Sequence, residues 1–93
     1  HNEALLPLEK DLIILLERYP AIIQQAAFEH NPSVIVNYCY DLAKTFNSFV
    51  TEHRVLKAES ENKKQLRLRI CQMTANVIAS GMNLAGIEVP ERM

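Results

Sequence analysis

Residues 61–85 carry a long helical periodicity, which constrains the fold more than any other part of the chain. Apolar residues recur there in steps of three, four or seven, the spacing of one helix face: Leu66, Ile70, Met73, Val77 and Leu84. A second apolar line runs beside the first: Leu68, Cys71, Ala75, Ile78, Met82 and Ala85. Together the lines form a wide stripe that needs cover from other helices. The sequence therefore predicts a helical bundle.

Local signals mark both ends of this helix. Ser60 is a plausible N-cap, and Glu61 lies in the first turn, where the helix dipole favours a negative charge. Gly86 suits the left-handed residue that follows a helix end. Pro90 prevents the helix from resuming. The seven residues 87–93 are therefore expected to be extended.

Three further helices are predicted upstream of this one. Pro7 suits the first turn of the first helix, Pro20 ends that helix and opens the next, and Asn31–Pro32 is a start signal for the third. The four predicted ranges are 7–18, 20–29, 32–53 and 61–85. With only two Gly in the chain, the turns that a sheet needs are missing. The predicted fold class is all-α, a small bundle of about four helices whose last two pack antiparallel.

The periodicity also assigns faces within these helices. The predicted buried line of the third helix is Ile35, Cys39, Leu42, Phe46, Phe49 and His53. Tyr38 and Tyr40 point to different sides of that helix, so they cannot serve one pocket. In the first helix, Glu9 is placed on the outer face. Arg67 lies on a partly apolar side of the last helix, and we expect it to tie that helix to an acidic partner in the first half.

Length and composition bound the type of protein. Ninety-three residues make one domain at most, and no apolar run is long enough for a membrane span. Cys39 and Cys71 lack a second ligand at Cys-x-x-Cys spacing, so free, buried thiols in a cytoplasmic protein are expected. Because the first residue is His1, we expect residues 1–93 to be the last domain of a longer protein.

Charge is distributed unevenly along the chain. The net charge is −1, yet residues 1–53 hold three basic and seven acidic side chains, whereas residues 54–93 hold seven basic and four acidic ones. The basic residues cluster around one connection and the helix start after it: Arg54, Lys57, Lys63, Lys64, Arg67 and Arg69. This cluster is either a solvated helix start or a local footprint for phosphates.

No catalytic constellation is recognisable in the sequence. His1, His30 and His53 do not have the spacing of a helical metal site, and no phosphate-binding loop is present. We therefore expect no catalytic residue, no metal site and no cofactor in these residues. Two classes remain open on composition: an RNA-binding module, or a helical protein-interaction or oligomerisation module.

The order and spacing of motifs resemble the C-terminal region of arginyl-tRNA synthetases over nearly the whole chain. The C-terminal matches are Arg67, Leu68, Ile70, Gly81, Met82, Leu84, Gly86, Ile87, Pro90, Glu91 and Met93. The matches in and after the third helix are Pro32, Tyr38, Tyr40, Leu42, Ala43, Phe46, Asn47, Phe49, Val55 and Leu56. One departure is Val50, where the family often has an aromatic residue.

The resemblance implies a DALR domain, which is a helical anticodon-binding domain. The implied partner is the anticodon loop of arginine-accepting tRNA, and the implied parent is a class I arginine–tRNA ligase whose upstream catalytic domain uses ATP and Mg²⁺. His53 could supply the stacking contact that Val50 lacks, and Met93 could pack on a base or ribose. The candidate tRNA-binding residues are Met93, Tyr38, Tyr40, His53, Arg54, Lys57, Lys63 and Lys64, with Lys63 and Lys64 expected at an exposed helix start.

Overall fold

The computed structural model describes residues 6–53 and 61–86, and these residues form four α-helices without a strand. The helices are α1 (Pro7–Glu17), α2 (Tyr19–Glu29), α3 (Ser33–His53) and α4 (Glu61–Leu84). Each bound lies within a residue or two of its predicted position, so the predicted all-α bundle is confirmed. The predicted Ser60 cap and the predicted extended tail fall outside the described residues.

Two helices begin where the sequence signals place them. α1 starts at Pro7, and the backbone N–H of Leu6 donates to Glu9 Oε1 over 2.9 Å. Glu9 is the third residue of α1, and its side chain thus accepts the backbone N–H of the residue just before the helix. This is one of the two hydrogen bonds of a capping box. Before α3, Asn31 Oδ1 accepts the N–H of Ser33 over 3.0 Å. The predicted capping role of Asn31 is therefore confirmed.

Two left-handed residues follow helix ends. His30 has φ 53° after α2, and the next N–H, that of Asn31, donates back to the carbonyl of Ala26 over 2.9 Å. Gly86 has φ 86° after α4, as the sequence predicts. A glycine adopts this conformation without the steric cost that a Cβ would bring.

α3 and α4 pack antiparallel and close together. Gly81, near the end of α4, faces Ile35 and Cys39 near the start of α3, and a Cβ built on Gly81 would lie 2.7 Å from Cys39 Sγ. Nearly one turn earlier in α4, the carbonyl oxygen of Ile78 lies 4.0 Å from Cys39 Sγ, and the end of α4 thus lies beside the start of α3. The predicted antiparallel arrangement is therefore confirmed, with a glycine at the close approach.

α1 runs beside α4 in the same direction. Near its start, Glu9 contacts Lys63 and Arg67, and just after its end, Tyr19 Oη lies 2.7 Å from Ser80 Oγ. The helices enclose one apolar core, to which α3 contributes most. The buried hydrophobic residues are Leu12, Leu16, Ala26, Ile35, Tyr38, Cys39, Leu42, Phe49 and Ile70.

The predicted inward face is right for the described side chains of α3 apart from the added burial of Tyr38, and it is only partly right for α4. In α3 the predicted residues Ile35, Cys39, Leu42 and Phe49 are buried and Phe46 is half-buried. In α4, Ile70 is buried as predicted, and five other residues of the predicted stripe are half-buried against the core: Leu66, Cys71, Val77, Ile78 and Met82. The predicted inward residues Met73 and Leu84 are instead 45% and 57% exposed. The buried residues of α4 also include Lys63, Arg67, Thr74 and Gly81. The two cations can lie inside because α1 supplies a buried carboxylate to them.

Candidate nucleic-acid interface

A buried carboxylate on α1 holds the start of α4. Glu9 is fully buried, which contradicts the outer face that its spacing predicts. Its Oε1 lies 2.5 Å from Lys63 Nζ, and its Oε2 lies 3.0 Å from Arg67 Nε. Since a buried charge is stable only when it is paired and hydrogen-bonded, the two cations and the N–H of Leu6 allow Glu9 to lie inside.

The pKa of Glu9 reflects this environment. Burial by itself raises the pKa of a carboxyl group, because it disfavours the charged form. The hydrogen bonds from Lys63, from the Leu6 N–H and from Arg67 outweigh burial, so the pKa of Glu9 lies below its ordinary value of 4.5. The Glu9 side chain is therefore a carboxylate at neutral pH.

This cluster changes the roles of two basic residues. Lys63 is only 5% exposed, so the expectation that its side chain is exposed at the helix start is wrong. The physical reason is that its ammonium group is engaged by Glu9. Arg67 is 1% exposed and donates to Glu9, so the expected acidic partner in the first half of the chain is confirmed. Both cations join helices in the bundle interior.

Tyr38 is likewise a residue of the interior. It is 5% exposed, its hydroxyl donates to the carbonyl of Leu15 over 2.6 Å, and its ring stacks on Tyr19 with centroids 5.8 Å apart. Burial raises the pKa of Tyr38 to about 12. The structure therefore contradicts the expectation that the Tyr38 ring is accessible to a nucleic acid, because the ring stacks on Tyr19 and the hydroxyl bonds to Leu15.

Tyr40 lies on the opposite side of α3 and is 67% exposed. The separation of the two tyrosines onto different sides is therefore confirmed. Lys44, Asn47 and Thr51 follow Tyr40 at helical spacings of four, seven and eleven residues, and all three are exposed. We call these four residues, Tyr40, Lys44, Asn47 and Thr51, the α3 outer stripe.

The α3 outer stripe has the chemistry that single-stranded RNA requires. An exposed ring can stack on an unpaired base, and a lysine can neutralise a phosphate. An amide and a hydroxyl can hydrogen-bond to base edges or to the ribose 2′-OH. Beside the stripe, Asn47, Ser48, Thr51 and Glu52 line a hollow of about 270 Å³. Asp41 is also exposed nearby in sequence, so the surface is not uniformly basic.

Comparison with known proteins identifies the family. Residues 2–93 match the family described as the DALR anticodon-binding domain. The chain belongs to the DALR anticodon-binding domain family. The resemblance noted from the motifs is thereby confirmed.

Curated relatives of this DALR domain are named arginine–tRNA ligases. The protein from Flavobacterium psychrophilum is 45% identical over 87 residues, which cover 94% of this chain and 14% of that protein. The proteins from Phocaeicola vulgatus and Pyrococcus furiosus are 40% and 41% identical over 85 residues, 91% of this chain and 14% and 13% of their lengths. The chain thus spans about a seventh of these relatives. No solved structure matches it significantly.

The remaining predicted contacts of the DALR domain are only partly described. Lys64 is half-buried at the start of α4, and His53 is the last residue of α3. Arg54, Lys57 and Met93 lie outside the described residues. Lys44 and Thr51 are not among the residues singled out from the sequence, although their spacing from Tyr40 places all three on one side of α3.

Three further properties of the described ranges concern metal binding, membrane spanning and the cysteines. Across residues 6–53 and 61–86, no three His, Cys, Asp or Glu side chains are grouped to hold a metal ion. Within those same ranges, every helix is too short or too polar to span a membrane. Cys39 and Cys71 are free thiols, and burial raises the pKa of both. A thiol with a raised pKa is a weak nucleophile at neutral pH.

Proposed function

We propose that this chain is the anticodon-binding domain of an arginine–tRNA ligase and that it binds the anticodon loop of arginine tRNA. The observation that carries the proposal is the family match over residues 2–93, together with relatives that are named arginine–tRNA ligases. The α3 outer stripe supports it, because it places an exposed ring next to a cation, an amide and a hydroxyl on one helix face.

The inferred task defines what the surface must do. Arginine codons share a central G, so every arginine anticodon has a central C. A protein that reads this base must splay the loop, stack the bases and satisfy the cytosine edge. In this proposal Tyr40 stacks on a loop base, Lys44 holds the backbone, and Asn47 or Thr51 bonds to a base or ribose. Stacking on one aromatic ring contributes roughly 1–3 kcal/mol per base.

The proposed tRNA surface also includes predicted contacts outside the α3 outer stripe. Lys64, Arg54 and Lys57 are proposed to contact phosphates without choosing sequence. His53 and Met93 are proposed to reach a base or ribose of the loop. The proposed tRNA surface does not include Tyr38 and Lys63, because the Tyr38 hydroxyl donates to the Leu15 carbonyl and Lys63 donates to Glu9 inside the bundle.

The rest of the enzyme is proposed from the relatives' names and lengths. In this proposal a catalytic domain elsewhere in the same polypeptide attaches arginine to the tRNA, with ATP and Mg²⁺ as its nucleotide and metal. In this proposal residues 1–93 bind neither ATP nor Mg²⁺, and the protein works in the cytoplasm. The DALR domain contributes recognition of the far end of the tRNA.

The proposal is tested by replacing the exposed ring. Tyr40→Ala is expected to weaken binding of arginine tRNA by about tenfold or more, which corresponds to the lower end of a lost stacking contact. Phe28→Ala is the matched control, since Phe28 is an 87% exposed aromatic residue on α2, outside the stripe. Binding is measured by titration at two salt concentrations, because phosphate contacts make it salt-dependent.

The same titration separates this function from a protein-interaction module. Arginine tRNA is expected to bind better than a tRNA whose anticodon lacks the central C. Equal binding of both tRNAs, or an equal effect of Tyr40→Ala and Phe28→Ala, would refute base recognition by the α3 outer stripe. Tight self-association without tRNA binding would favour the interaction module instead.

A further inference from the structure

An apolar groove lies where the end of α2, the start of α3 and the end of α4 meet. Its volume is about 420 Å³. None of its lining residues belongs to the proposed tRNA surface. We call it the α2–α4 groove, and its apolar lining consists of Ile23, Ala26, Ala27, Pro32, Ile35 and Leu84.

The α2–α4 groove has a buried floor and uncovered walls within the described residues. Ala26 and Ile35 are buried, whereas Ala27 and Pro32 are exposed and Leu84 is 57% exposed. A concave apolar surface of this kind is typical of a binding site. The apolar spacing along α4 places Leu84 on the inward face of that helix. A further apolar segment that covers Leu84 would satisfy this pattern.

The chain that follows α4 starts beside this groove. Gly81 packs against the groove floor, because a Cβ built on Gly81 would lie 3.2 Å from Ile35 Cγ2. Gly86 then ends the helix with φ 86°. The residue after such a left-handed glycine commonly contacts the last turns of the helix, which directs Ile87 back towards the bundle. Ile87 is three residues after Leu84, a reach of at most about 11 Å.

The sequence of this segment fits the groove. In an extended chain successive side chains point to opposite sides, so Ile87 and Val89 share one side and Glu88 lies on the other. One side of the segment is thus aliphatic and the other is charged. At the groove rim, His30 and Asn31 carry imidazole and amide groups that can hydrogen-bond to the backbone of an extended chain.

Covalent attachment favours this segment over a separate partner. The groove offers six apolar lining residues, whereas a stable protein–protein interface uses roughly 20–30 residues on each side. A segment that is joined to the groove wall by a few residues has an effective concentration in the millimolar range, and it avoids most of the entropic cost of association. A small groove can therefore hold it.

We propose that Ile87 and Val89 pack into the α2–α4 groove and cover Leu84. Glu88, which lies between them, faces water. Met93 lies beyond the groove, so its proposed contact with the anticodon loop is not affected. This packing goes beyond the proposed tRNA contacts and does not depend on them.

The test uses the full-length protein with the photoreactive residue p-benzoylphenylalanine at position 30. His30 lines the groove, is exposed and carries a ring of its own, so the replacement should disturb the bundle little. The matched control carries the same residue at position 28, because Phe28 is an 87% exposed aromatic residue of α2 that does not line the groove. After irradiation without tRNA, fragment ions in mass spectrometry locate the crosslinked residues. We expect crosslinks to residues 87–89 from position 30 and not from position 28.

Each other outcome overturns the proposal. A crosslink between two molecules would assign the groove to a second copy of the chain, and a crosslink to another segment of the same polypeptide would assign it to that segment. Crosslinks that reach only other lining residues, such as Leu84, would show that the groove is open. Equal crosslinking of residues 87–89 from both positions would show that the segment has no fixed seat. Since tRNA is absent, these failures are distinguishable from a failure of anticodon binding.

Two substitutions test which side of the segment faces the groove. In the full-length protein with the photoreactive residue at position 30, Val89→Ser is expected to lower the crosslink yield to this segment several-fold, because an apolar contact is lost. Glu88→Ser is the matched control, since it places the same residue on the opposite side of an extended chain, and it should leave the yield unchanged. Equal yields in the two variants would exclude the packing of Val89 in the groove.

Discussion

α3 and α4 lie against each other, yet they bury different kinds of side chain. Among the α3 side chains that the structure describes, residues 33–52, the buried ones are all apolar or aromatic: Ile35, Tyr38, Cys39, Leu42 and Phe49. The buried residues of α4 include two cations, a threonine and a glycine: Lys63, Arg67, Ile70, Thr74 and Gly81. α3 is thus stabilised mainly by apolar burial, whereas α4 depends on a partner charge at one end and on close backbone approach at the other.

The difference shows when an apolar pattern is a reliable guide. Such a pattern assumes that charged residues face water, which holds for α3 because its neighbours offer apolar surface. In α4, Lys63 and Arg67 face inward because Glu9, 54 and 58 residues earlier in the chain, neutralises them. The inward face of a helix is therefore set by the partner that a distant segment brings to it.

Among the variants considered, Glu9→Gln is expected to destabilise the protein most, because it disrupts the buried ion pairs that hold α4. This change removes the central charge and leaves two cations buried with weaker compensation. Removing one partner of a buried ion pair typically costs about 3–5 kcal/mol, and we expect a loss of that order in the free energy of unfolding. The measurement is urea denaturation of the protein at neutral pH.

Asp11→Asn is the control for Glu9→Gln. Asp11 is an exposed carboxylate on the same helix, and surface changes of this kind usually stay within about 0.5 kcal/mol. A Glu9→Gln protein that is as stable as the Asp11→Asn protein would show that the cluster does not hold α4. Replacing Glu9, Lys63 and Arg67 together by apolar residues is expected to recover much of the loss, because no charge is then left buried.

Acid should weaken the same cluster in the wild-type protein. Because the pKa of Glu9 is lower in the folded state than its ordinary value of 4.5, folding favours the carboxylate. Its contribution is complete above that value and is lost as the pH falls through the folded-state pKa. The difference in unfolding free energy between wild type and Glu9→Gln should therefore shrink below pH 4.5. A difference that stays constant down to strongly acidic pH would contradict this assignment.

A smaller effect is expected where the backbones of α3 and α4 meet. In Gly81→Ala the new Cβ would lie 2.7 Å from Cys39 Sγ and 3.2 Å from Ile35 Cγ2. Overpacking typically costs about 1–3 kcal/mol, and alanine recovers up to about 1 kcal/mol through its helix propensity. We expect a net destabilisation of about 1 kcal/mol or more, measured by urea denaturation.

Cys39→Ala provides the partner for a double-mutant cycle with Gly81→Ala. It removes the sulfur atom that the new methyl group would strike, so the two losses should be less than additive. Simple additivity would show that the sulfur atom does not limit the approach of the helices. Asn83→Ala, at an exposed position of α4, controls for a change of helix propensity alone.

The smallest expected effect has the opposite sign. The hydroxyl of Thr74 is buried and has no hydrogen-bond partner among the described residues. Thr74→Val keeps the shape of the side chain and removes the unsatisfied group, so it should stabilise the protein by about 1 kcal/mol. Thr51→Val, at an exposed position of α3, should change stability little. If Thr74→Val destabilises the protein, the hydroxyl has a partner in solution.

The sequence was sufficient for much of the local structure. Prolines, the Asn31 cap and Gly86 predicted the helix bounds, because these signals act within one turn of the backbone. Spacing alone placed Ile35, Cys39, Leu42 and Phe49 on the buried side of α3. The structural role of Arg67 was also predicted, since an arginine on a partly apolar helix side needs an acidic partner.

The missed features all depend on contacts between distant segments. Nothing near Glu9 in the sequence indicates that it is buried, since Lys63 and Arg67 decide that. Likewise, the closeness of Gly81 to Cys39 becomes visible only when α3 and α4 are packed. The sequence predicted that Tyr38 and Tyr40 lie on different sides of α3, but it did not predict that Tyr38 belongs to the core.

The position of Glu9 has a consequence for how the protein is made. Glu9 is synthesised 58 residues before Arg67, and at about 5–20 residues per second that interval is roughly 3–12 s. Until then its carboxylate has no cation to enter the interior with, so α1 must stay hydrated beside α2 and α3. In nascent chains that are stalled before Lys63 leaves the ribosome, proteases should therefore cleave α1 readily. Once α4 has left the ribosome, α1 should become protected.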